Sequence, residues 1–435
     1  MASSPTASTA PDQQQPPPPV PAKSLASTHP APTSAPPSHP PPLRLAIVGD
    51  VHGAWGPEDD AALASLAPHA ALFVGDFGEE DVGLVQRLAA AGGGAPPRFF
   101  VLGNHDAWFC LTKRGQDRAV RKGVAGGGDG LVSPGVRAQL AALGRAHVGW
   151  GHALVRGAPQ PLAIAGGRPF SKGGAQWSDV AAFYAAFAPG VATLRDAATK
   201  TASALASAGA ALQAAAADAA PTDAAPPRPG ALVLLAHNGP AGLGGRAADP
   251  CGADFLAGGG DWGDPDLAAA LDAACAAAAP APAGPAPVAA VLFGHMHRNL
   301  RGDPRPRDAV RFDEGRRRGG GGRGGGGAGG EAASRTVFLN AAVVPRRRSL
   351  PGAPGGSAPP TTACHFLVLE LDGGLATAAA DGWVGVAAVV GGEGGGGGSG
   401  FACAPLLERP LLVTGAGGDR WAWQAHEGVW VKEGG

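Results

Sequence analysis

Gly103-Asn104-His105-Asp106 follows the run Arg98-Phe99-Phe100-Val101-Leu102, and this junction decides the fold. The run reads as a buried strand. Turns favour Gly, Asn and Asp, so the block alone reads equally well as a plain loop. Four other apolar runs end in the same way. Leu45-Ala46-Ile47-Val48 leads into Gly49-Asp50-Val51-His52, and Ala71-Leu72-Phe73-Val74 into Gly75-Asp76-Phe77-Gly78. Leu232-Val233-Leu234-Leu235 leads into Ala236-His237-Asn238-Gly239, and Val288-Ala289-Ala290-Val291-Leu292-Phe293 into Gly294-His295-Met296-His297. Asp, His and Asn thus gather at the carboxyl ends of strands, the edge at which open α/β sheets bind ligands. Strand and helix alternate over residues 43–106, which predicts a largely parallel sheet.

The donors are carboxylate, imidazole and carboxamide. That mixture suits Mn, Fe or Zn better than Ca, which prefers oxygen alone. Asp50, His52, Asp76, Asn104, His237, His295 and His297 are too many for one tetrahedral ion. They suit two ions that share a carboxylate. Met296 is a poor ligand for a hard metal and reads as a packing residue.

The ordered set D-x-H, G-D, G-N-H-D, H, G-H-x-H resembles the calcineurin-like metallophosphoesterase superfamily, over residues 43–390. The resemblance implies a four-layer α-β-β-α sandwich of two mixed β-sheets flanked by helices. It also implies a partition of the ligands. Asp50, His52 and His297 would hold one ion, Asn104, His237 and His295 the other, and Asp76 would bridge them. A hydroxide held between two divalent or trivalent ions would attack phosphorus. His105 matches the position that protonates the leaving group, Asp106 would orient His105 or keep it protonated, and Asn104 would also touch the phosphate. The chain departs from the family where Gly75-Asp76 is followed by Phe77-Gly78-Glu79-Glu80-Asp81 rather than by G-D-x-x-D. With His237-Asn238-Gly239-Pro240 and Asn340-Ala341-Ala342-Val343-Val344-Pro345, it resembles a cyanobacterial and plastid-type branch, for which no substrate follows.

The chain has 435 residues and a formal net charge of −1, so no global field draws it to nucleic acid or membrane. No uncharged apolar run reaches the ~18 residues of a spanning helix. The five cysteines, Cys110, Cys251, Cys275, Cys364 and Cys403, are scattered and form no C-x-x-C pair. They read as small buried hydrophobes in a reducing compartment.

Residues 1–42 are rich in Pro, Ser, Ala and Gln and read as a disordered tail or a chloroplast transit peptide, with the cytoplasm as the other address. Helices are predicted over 59–67, 79–91, 177–186, 191–220 and 267–278, and strands over 336–344, 364–371 and 375–390. Residues 107–230 form an insertion, and the resemblance places it on the substrate side. Residues 298–335, rich in Arg and Gly, read as a solvated loop. On this reading 1–42 and 298–335 are both dispensable for folding. Gly391–Gly400 is a linker to a C-terminal extension that carries three tryptophans. Arg168 and Arg298 read as surface residues or phosphate clamps. Two rivals stand beside a phosphoesterase acting on a phosphorylated substrate. One is a nucleic-acid phosphodiesterase, suggested by the Arg-rich stretch. The other is a scaffold that keeps the fold without catalysis.

Overall fold

Leu43, Leu45 and Ile47 pack into one core and Ala46 and Val48 into another, so the first strand, β1 (Leu43–Val48), is covered on both faces. That is why Leu45–Val48 reads as an unbroken apolar run rather than an alternating one. The structure is a computed structural model, which describes residues 41–90, 95–123, 131–218, 229–277, 287–312, 336–350, 361–389, 400–414 and 419–433. After β1 come α1 (Pro57–Ser65), β2 (Ala70–Phe73), α2 (Val82–Ala89) and β3 (Arg98–Phe100). The middle of the chain forms α3 (Lys113–Lys122), α4 (Pro134–Leu143), β4 (His152–Val155), β5 (Leu162–Gly166), α5 (Ala181–Phe187) and α6 (Leu194–Asp218). Next are β6 (Ala231–Leu235), α7 (Pro265–Ala277), β7 (Val288–Phe293), β8 (Val310–Phe312), β9 (Val337–Asn340) and β10 (Arg347–Leu350). The chain closes with β11 (Thr361–Asp372), β12 (Leu375–Val389), β13 (Gly400–Thr414), β14 (Arg420–Gln424) and β15 (Val429–Lys432).

The strands make two mixed sheets. One has nine strands in the order β15-β14-β13-β12-β11-β1-β2-β3, with β10 also beside β11. The other has six, in the order β4-β5-β6-β7-β9-β8. β1, β2 and β3 run parallel, as do β5, β6, β7 and β9. Leu45, Ile47, Leu72 and Leu369 of the first sheet share a core with Ile164, Val233, Leu292 and Leu339 of the second. Leu63, Leu84, Val136 and Phe183 cover the outer face of the first sheet. Leu205, Leu212, Leu267 and Leu271 cover that of the second. The result is the α/β architecture expected, with helix, sheet, sheet and helix in layers and seven α-helices among the described residues.

The differences from the sequence expectation have local causes. α2 starts at Val82 rather than Glu79 because the Asp81 carboxylate accepts from the Leu84 amide at 2.9 Å. α3 and α4 were not predicted, although Ser133 followed by Pro134 is a helix-start signal and the Ser133 hydroxyl does cap the Val136 amide. Trp177 lies outside α5 and stacks on Tyr184, with ring centroids 4.9 Å apart. Two of the five cysteines are not buried: Cys275 is exposed and Cys403 half-buried. The C-terminal extension is no appendage, since β13 pairs along the length of β12 and β14 and β15 follow it.

The Arg/Gly-rich stretch needs a larger correction. Residues 298–312 are part of the fold. Arg298 is buried and paired with Asp381 at 2.5 Å, and Val310–Phe312 pair with β9. Arg307 is 1% exposed, and its guanidinium donates to the carbonyls of His297, Ala247, Asp249 and Gly252. Arg-rich composition suggested solvent, but Arg298 pairs with a buried carboxylate and Arg307 with main-chain carbonyls instead. Residues 313–335, the possible transit peptide in 1–40 and the tract 391–399 lie outside the described residues. Deleting 298–335 should therefore lower the melting temperature markedly. Arg307→Ala alone should cost on the order of 3 kcal/mol, because it leaves four carbonyls without their donor. Urea denaturation would check this, and a midpoint equal to that of the wild type would contradict it.

Candidate metal centre

Each donor lies just beyond the carboxyl end of a strand. Asp50 and His52 follow β1, Asp76 follows β2, and Asn104 opens a 3-10 turn, Asn104–Ala107, just after β3. His237 follows β6, and His295 and His297 follow β7. The first three strands belong to the nine-stranded sheet and the last two to the six-stranded one. The cluster therefore bridges the sheets.

The backbone is bent to bring these side chains together. His52, Asp76 and His295 have φ of 46°, 53° and 65°. Left-handed backbone is disfavoured for residues with a side chain and concentrates at functional sites. Glycine makes room at two junctions. A Cβ on Gly103 would lie 2.3 Å from Asp76 Oδ1, and one on Gly294 would lie 2.2 Å from Asp50 Oδ1.

Three groups of side chains can each place one donor atom per residue within 4.8 Å of the others: Asp50/His52/His297, His52/Asp76/His105 and Asp76/His237/His295. His52 and Asp76 each occur twice, so the groups form one chain of donors. Asp76 Oδ1 lies 3.3 Å from His237 Nε2, and Oδ2 lies 4.0 Å from His52 Nε2. Asn104 joins through Oδ1, 3.0 Å from His237 Nε2. Asp50, Asp76 and His237 are buried, whereas the His52 and His297 side chains are 25% and 40% exposed. Access is therefore from the His52/His297 side.

The donor set fits cations. The His237 Nδ1–H donates to the Val74 carbonyl at 2.8 Å, since a carbonyl can only accept. Nε2 then faces Asn104 Oδ1 at 3.0 Å and Asp76 Oδ1 at 3.3 Å, so three candidate ligand atoms converge. In the same way His295 Nε2–H donates to the Lys172 carbonyl at 3.1 Å, leaving Nδ1 as the free donor atom. Such outer partners are what orient metal-binding imidazoles.

The charges point the same way. Burial raises the carboxyl of Asp50, but the hydrogen bond and charge of His297 outweigh it and hold Asp50 well below the usual carboxylate range. Burial and the neighbouring Asp50 push Asp76 well above that range. Without a cation, then, only one of the two buried carboxylates ionises readily. Burial keeps His295 neutral, helped by His237. Burial also brings His105 down to about 4, with His52 and His237 adding to the shift.

His105 lies at the edge of the cluster. Its ring stacks on Trp108, with centroids 4.2 Å apart and planes at 14°, and meets His52 edge-on at 4.9 Å. Asp106 does not orient it. The Asp106 carboxylate is fully buried and accepts from the amides of Gly103 (2.7 Å), Phe77 (2.8 Å) and Asp76 (3.0 Å). The block reads G-N-H-D because the fourth residue turns back to clamp two ligand loops together; adjacency in sequence suggested a contact that the 3-10 turn prevents. Asp106→Ala should leave three buried amides unpaired and cost about 3 kcal/mol or more. The measurement is a melting curve: an unchanged midpoint with lost turnover would restore the orienting role.

The two arginines singled out in the sequence are neither surface residues nor clamps. Arg168 donates to Asp266 at 2.9 Å and Asp264 at 3.0 Å, and Arg298 pairs with Asp381. Met296 is buried, as a packing residue would be. Asn340 enters the sequence reading only within a motif, with no role in the site. It ends β9, donates to the carbonyl of Met296 at 2.8 Å, and so fixes the turn between His295 and His297. Its signal was available, because Val337-Phe338-Leu339-Asn340 is a sixth apolar run ending in a polar residue.

No protein-family model and no curated protein sequence matches the chain. A solved crystal structure is similar over 76% of this chain and 95% of its own, at 10% identity and a TM-score of 0.33. A likeness that distant carries no argument about function. Among the described residues, no helix is long and apolar enough to cross a membrane.

Proposed function

We propose that this chain is a binuclear metal-dependent phosphoesterase of the calcineurin-like kind, using Mn, Fe or Zn. The observation that supports it is the run of three overlapping His/Asp groups, linked through His52 and Asp76, at the carboxyl ends of strands from both sheets. In this reading Asp50, His52 and His297 would hold one ion and Asn104, His237 and His295 the other, with Asp76 available to both. Bound ions of this type acidify a water and neutralise charge on phosphoryl oxygens. Phosphoryl transfer needs little beyond such positioning and electrostatics.

The chain's own residues do the rest. Asn104 carries a carboxamide whose N–H would be left to donate to a phosphoryl oxygen if its Oδ1 served the ion. His105 gives a proton to the leaving oxygen. Its ring is neutral at pH 7 in the resting protein, so in this role it takes up a proton from solvent once the negative charge of a bound phosphate raises its proton affinity. Asp106 keeps the Asp76 and Asn104 loops in register. The test is hydrolysis of p-nitrophenyl phosphate against its bis ester by metal-stripped protein, with Mn, Fe and Zn added one at a time. Metal-dependent turnover of either ester supports the reading, and none with any metal sinks it.

A further inference from the structure

We propose that Trp108 is the positioning residue that fixes the imidazole plane of His105, an assignment that rests on the acid role given to His105 above. The carboxylate next in sequence, Asp106, is committed to backbone amides, so the ring needs another support. The 3-10 turn supplies it. In 3-10 geometry side chains three residues apart eclipse one another, and His105 and Trp108 are three apart, with the Trp108 amide donating to the His105 carbonyl at 3.2 Å. The outcome is a near-parallel stack, 4.2 Å between centroids and 14° between planes.

Trp108 is itself held. The Arg118 guanidinium of α3 lies over the indole, 4.7 Å from its centroid, a cation–π contact. The start of α3 closes on the Trp108 backbone, where a Cβ on Gly115 would lie 2.3 Å from the Trp108 carbonyl oxygen. The Phe109 amide, next in sequence, is tied to Glu80 at 2.8 Å. An indole fixed by its backbone and a cation is a rigid wall. The His105 ring stacks on that wall and stands at 87° to the His52 ring, with centroids 4.9 Å apart. Rotation about the last side-chain bond of histidine is otherwise broad, and a misplacement of ~1 Å can cost on the order of 10²-fold in rate.

The experiment compares Trp108→Leu and Trp108→Phe with the wild type and with His105→Ala. The first readout needs no activity: the ring-proton shift of His105 in metal-free, 13C-histidine-labelled protein, assigned by its absence in His105→Ala. Loss of the indole ring current should move that signal downfield in Trp108→Leu and only partly so in Trp108→Phe. The second readout is kinetic. Trp108→Leu should lower kcat on alkyl phosphates about tenfold or more, with KM and nitrophenyl phosphate turnover nearly unchanged. Trp108→Phe should recover most of the loss. An unmoved shift overturns the proposal, as does an unchanged kcat. A change confined to KM for aromatic esters overturns it too, because Trp108 would then touch the substrate. Absence of phosphoester hydrolysis in the wild type would sink the acid role itself, whereas an active wild type with an equally active Trp108→Leu sinks only the positioning role.

Discussion

Asp76→Asn is expected to strip the protein of most bound metal and nearly all hydrolytic activity. Asp76 is common to two of the three donor groups, and its two oxygens face different imidazoles. An amide of the same shape keeps one acceptor, loses the negative charge and aims N–H at a cation. Metal analysis of the purified variant tests this. Two ions per chain with near-normal turnover would dispose of the shared role. The protonation state gives a second measurement. In the metal-free protein, burial and Asp50 hold Asp76 protonated well above the usual carboxylate range. A cation must displace that proton, so metal affinity should rise with pH. Titration calorimetry in buffers of different ionisation heat should show proton release on metal uptake. The release should be smaller in Asp76→Asn.

His105→Ala should separate chemistry from metal binding. The residue is proposed to serve the leaving oxygen, and acid catalysis of this kind contributes ~10²- to 10⁴-fold. An alkoxide leaves poorly without a proton, whereas a nitrophenolate is already stable as an anion. The variant should keep both metals and lose far more activity on alkyl phosphates than on nitrophenyl ones. Equal losses on both classes, with metals intact, would mean that His105 stabilises phosphoryl charge instead. Loss of a metal would make it a ligand, a reading its place in the His52/Asp76/His105 group leaves open to measurement.

The donors were legible because each stands where an apolar run stops, and a buried parallel strand leaves its chemistry only at that edge. Asp50 or His237 alone would have passed for a turn residue; five endings in order carried the signal. What the sequence concealed were partners set by three-dimensional return. Asp106 and His105 are neighbours in the chain, yet the turn sends one inward to amides and the other outward to Trp108. Arg168, Arg298 and Arg307 have the composition of a surface and the burial of a core, because their partners Asp264, Asp266 and Asp381 and the carbonyl of His297 lie at distant or unmarked positions. β13 to β15 were missed because a Gly-rich tract precedes them, and only pairing with β12 reveals that they continue the sheet.

The place of β1 in its sheet bears on how the chain is made. One edge of β1 pairs with β2, close by in sequence, while the other pairs Ile47 with Leu367 and Leu43 with Leu371. On a ribosome that second edge waits for roughly 320 more residues, on the order of half a minute at usual elongation rates. An apolar strand with an open edge is an invitation to pair with other chains. Asp50, Asp76 and Asn104 emerge in the same early portion, whereas His237, His295 and His297 come much later. The nascent chain therefore carries half a chelating site beside an unpaired strand until His297 completes the one and β11 the other. Binding by a chaperone that shields extended apolar segments should accordingly be strongest on stalled chains ending between residues 110 and 360, and should fall once β11 has emerged.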